Sequence, residues 1–490
     1  MAKSIAVFSL TRLKVSVFLA SSNASVGTIV GAMTKRRSMQ DVVLQQSKKI
    51  GLALFLAVIA FGGMIIFFTP QQSFLVAFIV LMVTLWTNEG LPLAVVSLLP
   101  IVLFPSAEIL STKAAAANYA NPIIYLFFGG FLLAIAVEKT GLHKWIANKM
   151  LDLFPSSAAG IIFALVITSG LLSSVLSNTT TTLLLLPIAL FLTEENRLKL
   201  RFALGIAYGA SIGGILTPIG TPPNLILMGL LHDMGMPAIS FVQWMWMVAP
   251  LVFVMFIVVG YILGLGLKGV DVASDLSISA LSPEQKKVIF VLSGVIFILF
   301  VNSPIKPYYN GLGLNEAGIL LSAGLLLFAP PFSILDWMED KNNIPYRIMF
   351  LFGAGFAIAE AFTQTGMAKE IATHLISMAN LPMIIFMLIV AAMVTFTTEV
   401  TSNTALISIM LPILYAVAIE TGLDARLFMM VATVCASYAF MLPIATPPNA
   451  IAMSTGVVNV KTMAAYGIIF NIIGILLIVT IAQLLWKNVL

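Results

Sequence analysis

Charge is scarce in this 490-residue chain: Asp, Glu, Lys and Arg make up 9% of it, against 60% hydrophobic residues and a mean hydropathy of +1.07. A water-soluble domain cannot hide that much apolar surface, so the composition excludes one and implies a polytopic membrane protein. Cysteine is nearly absent. The single Cys435 rules out an internal disulfide and a cysteine-held metal cluster, and its apolar neighbours give it a packing role. The three histidines, His143, His232 and His374, are isolated and form no H-E-x-x-H zinc signature. No G-x-x-x-x-G-K-[ST] phosphate loop is present, which argues against ATP as a driving force. A net charge of +5 is too small to point to nucleic acid, and no nucleophile–base pair or metal set supports a membrane enzyme.

What the chain has is long apolar runs. A spanning helix needs about 20 apolar residues, and the candidates are 51–69, 73–88, 90–105, 119–138, 201–232, 243–267, 285–302, 313–330, 346–365, 425–456 and 462–486. Two further runs, 157–193 and 381–419, exceed one span and carry small polar clusters near their middles. Such residues leave helix readily, so each run is expected to form a re-entrant helical hairpin with the cluster at its tip. Broken backbone is tolerated at that depth only under protein or beside water. The amphipathic stretches 139–153 and 366–378 are expected to lie flat at the interface. Trp145, Trp244, Trp246, Trp337 and Trp486 fall near span ends, where an aromatic belt is expected. Residues 1–50 hold eight Lys/Arg, and Arg12 and Lys14 interrupt their only apolar stretch; this reads as a cytoplasmic or interfacial leader.

The polar clusters recur. Leu176-Ser177-Asn178-Thr179-Thr180 returns as Thr401-Ser402-Asn403-Thr404 at a separation of 225 residues. Thr217-Pro218-Ile219-Gly220-Thr221-Pro222-Pro223-Asn224 returns as Leu442-Pro443-Ile444-Ala445-Thr446-Pro447-Pro448-Asn449 at the same 225. Gly130 with Gly355, Phe131 with Phe356, Thr140 with Thr365, Gly141 with Gly366 and Pro187 with Pro412 keep that offset too. One repeat covers 73–267 and the other 285–486, with 51–69 as an extra first span. Each repeat holds five crossings and one hairpin, and an odd number of crossings inserts the second repeat upside down. With the N-terminus cytoplasmic and the C-terminus outside, 20 of the 25 Lys and Arg fall on cytoplasmic segments. Lys113, Lys306, Lys369, Arg426 and Lys487 fall outside, a split that obeys the positive-inside rule.

Polar and proline-rich breaks at matching places in two inverted halves point to a transport site. Prolines lack the N–H that would bond four residues back, so carbonyls near Pro218–Ile219 and Pro443–Ile444 lose their partners and suit a small hard cation. Hydroxyls and the Asn carbonyls of the tips complete an all-oxygen site without a carboxylate. Helices that begin at the tips aim free N–H groups and positive partial charge into the same space. Asn178, Asn403, Thr179, Thr404, Thr221 and Thr446 can donate to an anion there. None of the four segments holds Lys or Arg, so a bound anion needs bound cations to neutralise it. Glu399, three residues before Ser402, lies inside the apolar run and either shapes the second site electrostatically or serves as a hydrogen-bonding group. Glu138 and Glu360, near span ends, are expected to be solvated or paired.

These paired tips and Thr-Pro-Pro-Asn segments resemble the divalent anion–sodium symporter family of di- and tricarboxylate transporters, over about residues 45–490. The resemblance implies a homodimeric, elevator-type carrier in a bacterial inner membrane. A scaffold of helices in 73–138 and 285–365 would hold transport units at 157–267 and 381–486. It implies one Na⁺ on Ser173, Ser177, Asn178 and the Gly220 carbonyl, and another on Thr398, Ser402, Asn403 and the Ala445 carbonyl. Asn178, Thr179, Thr221, Asn403, Thr404, Thr446 and Pro447 would face the substrate carboxylates, although many relatives carry Ser where Thr221 stands. The expected activity is import of succinate, fumarate or malate with Na⁺. Citrate or sulfate as substrate, Na⁺-independent exchange, and an ion channel with the hairpins as its constriction are the alternatives.

Overall fold

The structure is a computed structural model that describes residues 26–267, 280–304, 308–367, 370 and 381–490, with side chains from residue 44 onward. Among the described residues the regular elements are all helices. The first half runs α1 (Val26–Met64), α2 (Pro70–Asn88), α3 (Leu93–Ser106), α4 (Pro122–Lys139), α5 (Leu142–Leu153), α6 (Ala158–Ser173), α7 (Asn178–Phe191), α8 (Asn196–Gly213), α9 (Pro222–Asp233) and α10 (Phe241–Gly264). The second half runs α11 (Pro283–Asn302), α12 (Glu316–Leu326), α13 (Tyr346–Gln364), α14 (Met383–Thr398), α15 (Asn403–Thr421), α16 (Ala425–Ala436), α17 (Pro447–Ser454) and α18 (Val460–Ile481). Among the described residues, seven helices are long and apolar enough to cross a membrane.

Local chemistry sets where helices begin. Ser, Thr, Asn or Asp caps α2, α4, α6, α10, α11, α12, α16 and α18, each accepting a first-turn N–H. Such a cap contributes about 1 kcal/mol. Thr69 with Gln72 and Ser282 with Gln285 form full capping boxes, followed in each case by a proline that has no N–H to lose. Gly141 and Gly366, 225 residues apart, both leave the preceding helix at positive φ, 69° and 68°, which a side chain would oppose.

Several expectations need correction. The run 313–330 yields only the 11-residue α12, which rises about 17 Å and cannot cross alone. Past it, Ile334 and Leu335 donate to the Leu327 carbonyl and turn the chain around Pro330–Pro331. Within the run 90–105, α3 is itself two short pieces, Leu93–Val96 and Leu99–Ser106, because Pro100 cannot donate to Val96 and the ladder breaks at Ser97. Trp244 and Trp486 are not belt residues: both are fully buried, their indole N–H groups donating to the Ile215 and Met247 carbonyls. Trp246 and Trp337 are exposed. The stretch 139–153 does form α5, with Leu142, His143, Ala147 and Leu151 turned inward and Lys144 outward. Residues 1–25 of the leader, and all but Gly366, Met367 and Glu370 of the stretch 366–378, lie outside the described residues.

Polar contacts sort the connections into two groups. In one, Lys139 pairs with Asp340 at 2.7 Å, Gln285 donates to the Thr140 carbonyl, Lys287 to that of Phe332, and Asn88 to that of Lys49. In the other, Asn121 meets Asp233, Gln72 meets Thr365, Gln71 meets Glu108 and Phe241 meets Glu316. Between them, α13 packs on α4, α9 and α15. Gly355 lies against Ser408 and Phe356 against Gly229, whereas Gly130 faces Ile219.

Candidate functional site

The runs expected as hairpins are each broken at the Ser-Asn-Thr cluster. Helix α6 ends at Ser173 and α7 restarts at Asn178; α14 ends at Thr398 and α15 restarts at Asn403. Ser177 caps α7, its hydroxyl accepting from the Thr180 N–H at 3.1 Å, and Ser402 caps α15 through the Ala405 N–H at 3.5 Å. Across each tip one bond recurs. Ser173 Oγ donates to Asn178 Oδ1 at 2.5 Å, and Thr398 Oγ1 donates to Asn403 Oδ1 at 2.6 Å. Ser173 and Thr398 are fully buried, while Asn178, Thr179 and Asn403 are partly open.

The proline segments break their helices as the missing N–H groups require. Helix α8 stops at Gly213 and α9 begins at Pro222; α16 stops at Ala436 and α17 begins at Pro447. Thr221 and Thr446 stand at the N-caps in extended conformation, φ −146° and −141°, both nearly buried. Gly220 and Ala445 donate their N–H to the carbonyls of Thr217 and Leu442 at 3.3 and 3.2 Å. Gly220 cannot carry a side chain, because one would strike the carbonyls of Gly214 and Ser173.

The halves interlock here. Helix α7 of the first packs on α17 of the second, and α15 of the second packs on α9 of the first. Within each half the tip meets its own break, Asn178 lying against Gly214 and the Thr398 hydroxyl donating to the Ala436 carbonyl at 3.1 Å. Beside the first tip, a small cavity is lined by Phe127, Phe131, Ser177, Ile219, Gly220 and Ile348. A larger one, about 580 Å³, lies at the far end of α9, bordered by Asn118, Asn121, Asp233, Glu360 and Tyr415.

Glu399 proves to be a hydrogen-bonding group. Its carboxylate accepts from the Met441 and Leu442 N–H groups, each at 2.9 Å, and from Asn471 Nδ2 at 2.7 Å. It thereby ties the second tip to the second break. The first half makes the same tie differently, through the Thr217 hydroxyl donating to the Ser174 carbonyl at 2.5 Å. Glu360 is paired with Asn118 Nδ2 at 2.6 Å, and Glu138 is exposed. Sequence reasoning missed the roles of Asn471, Thr217 and Asp233, which show only through contacts between distant segments. It named Asn224 and Asn449 without giving them work.

The sequence profile of the citrate transporter family matches residues 78–435. The sodium-dependent dicarboxylate transporters SdcS of Staphylococcus saprophyticus and Staphylococcus aureus are 31% and 32% identical to the chain over 477 and 484 residues, spanning 90% of it and 92% of each relative. Two solved structures share the fold at 15% identity. Neisseria gonorrhoeae MtrF, reported to illuminate a class of antimetabolite efflux pumps, has a TM-score of 0.56. The Alcanivorax borkumensis YdaH transporter has 0.58; the matches cover 84% of this chain and 94% and 97% of theirs.

Proposed function

This chain belongs to the citrate transporter family, among the divalent anion–sodium symporters, and is a multi-pass membrane transporter rather than an enzyme; from that premise we propose that it imports C4-dicarboxylates such as succinate, fumarate and malate together with Na⁺. The observation that carries the reading is the duplicated tip: the same buried hydroxyl-to-asparagine bond beside the same proline break, without a Lys or Arg in any of the four segments. A dianion held only by hydroxyls, amides and helix N-termini lacks a neutralising charge, and Na⁺ supplies it.

In this reading Ser173, Ser177, Asn178 and the Gly220 carbonyl hold one Na⁺, and Thr398, Ser402, Asn403 and the Ala445 carbonyl hold the other. Asn178, Thr179, Thr221, Asn403, Thr404, Thr446 and Pro447 contact the carboxylates. Helices within 73–138 and 285–365 form a scaffold, supported by the packing of α4 on α12. The interlocked α6–α10 and α14–α18 form a transport unit that slides past it as an elevator, in a homodimer in the bacterial inner membrane with the N-terminus inside. Citrate is the second reading for substrate, favoured by the family profile. Radiolabelled succinate uptake into proteoliposomes tests the proposal: it should require an inward Na⁺ gradient and be lost in Asn178→Ala and Asn403→Ala variants that still elute as folded protein. Uptake indifferent to Na⁺ would leave an anion exchanger, and a C4, C6 and inorganic dianion competition series separates the substrates.

A further inference from the structure

Asn224 and Asn449 belong to neither ligand set, yet each is completely buried in the break beside its tip. Each is the third residue of its helix, after two prolines. Asn224 Nδ2 donates to the Thr217 carbonyl at 2.9 Å and to the Gly214 carbonyl at 3.4 Å. Asn449 Nδ2 donates to the Leu442 carbonyl at 3.0 Å and to the Ala439 carbonyl at 3.0 Å. The acceptors are the same two positions at the 225-residue offset, so one clip spans the break loop in both halves. The first acceptor of each clip also takes the N–H of Gly220 or Ala445. Clip and proposed cation carbonyl thus share an anchor.

Two carbonyl acceptors fix which end of each amide is nitrogen, since a flipped amide would set oxygen against oxygen. The remaining atoms, Asn224 Oδ1 and Asn449 Oδ1, are then buried with no hydrogen-bond partner, again in both halves. An unmet buried acceptor costs about 1–3 kcal/mol. Two of them recur at equivalent places, each on the side chain that clips a loop presenting a proposed cation carbonyl, and each calls for a partner.

We propose that Asn224 and Asn449 are positioning residues for two alkali-cation sites, their Nδ2 groups setting the spacing of the loops that present the Gly220 and Ala445 carbonyls and their free Oδ1 atoms completing the oxygen surround. The proposal rests on the reading of Na⁺-coupled transport. The clip, by fixing loop spacing, sets the preference for Na⁺ over Li⁺.

The test compares wild type with Asn224→Asp and Asn449→Asp, which keep size and one oxygen but lose both donors; Asn224→Ser and Asn449→Ser serve if the Asp forms do not fold. Succinate uptake is measured across Na⁺ and Li⁺ concentrations, and the Tm of purified protein is measured in NaCl against choline chloride. Each variant should need at least about tenfold more Na⁺ for half-maximal uptake, the usual scale for an outer-shell partner of an ion. Each should also show a smaller Na⁺-induced rise in Tm, discriminate less against Li⁺, and keep its succinate KM at saturating Na⁺. Variants with wild-type Na⁺ dependence, or with Na⁺ and succinate affinity falling together, overturn the inference, as does failure of both substitutions at a position to fold. If wild-type uptake and Tm ignore Na⁺, the functional reading falls and takes this inference with it; if wild type responds and the variants match it, only this inference falls.

Discussion

Ser177 and Ser402 each cap a helix at the point where the chain turns back, and the two caps are unequal. The Ser177 bond is 3.1 Å and the Ser402 bond 3.5 Å. Ser177→Ala should therefore lower stability by about 1 kcal/mol, and Ser402→Ala by less, read from thermal melts in detergent. His143 gives a pH dependence. It is 3% exposed, its Nδ1 lies 3.2 Å from the Val137 carbonyl, and Nε2 has no partner. Burial pushes its pKa below the ordinary histidine value, so the fold favours the neutral ring. The unfolded chain then binds the extra proton first, and stability should fall as pH drops below about 6.5. His143→Gln should flatten the melting temperature between pH 7 and 5; an unchanged slope would refute the assignment. At this scale the tips were legible in sequence because Ser173 and Asn178, or Thr398 and Asn403, are five residues apart. Asn471 was not, since it reaches Glu399 across 72 residues and leaves no local pattern. Hydropathy likewise could not tell Trp244, facing protein, from Trp246, facing outward.

Among the elements, starts obey the repeat better than ends. Helices α6 and α14, α7 and α15, and α9 and α17 begin 225 residues apart, but α7 is 14 residues long and α15 is 19. Starts are fixed by caps and prolines, which sequence displays; ends depend on packing, which it does not. The same contrast explains why the breaks at Pro222 and Pro447 were foreseen and the shortness of α12 was not. The two breaks are also tied to their tips by different chemistry, one hydroxyl in the first half and one carboxylate with three donors in the second. Glu399→Gln turns an acceptor into a donor facing N–H groups and should cost more, about 1.5–3 kcal/mol for a charge-assisted bond against about 1 for Thr217→Val. Thermal melts of the two variants side by side check the order, and equal losses would contradict it.

Across the whole molecule, matched residues sit in unmatched surroundings. Ser408 is buried against Gly355, while its counterpart Leu183 is 55% exposed; Ile219 faces Gly130, while Ile444 is 72% exposed. Gly229 holds Phe356, and its counterpart Ser454 is exposed. On the proposed elevator reading, exchanging the halves gives the opposite orientation, in which Leu183 meets Gly130, Ile444 meets Gly355 and Ser454 meets Phe131. In a Cys435→Ala background, Phe131→Cys with Ser454→Cys should then be joined by a short thiol cross-linker during turnover, stopping uptake until the bridge is cleaved. No cross-link under active turnover sinks that geometry. Among the described residues, some contacts between the proposed scaffold and transport unit have no image under this exchange; the Glu316 carboxylate, which accepts from the Phe241 N–H at 2.9 Å, is matched by Leu91, which cannot accept. Asn121 Nδ2 lies 2.9 Å from both carboxylate oxygens of Asp233, yet the matching positions hold Tyr346 and Val458, which cannot form that bond. On the proposed elevator reading, a carrier fastened more firmly on one side would have a parking position, resting as described here, leaving slowly and returning quickly. Its forward and reverse turnover should differ under mirror-image gradients, and Asn121→Ala should bring them closer. Asn121 would then be one of the residues that rectify an otherwise two-fold machine.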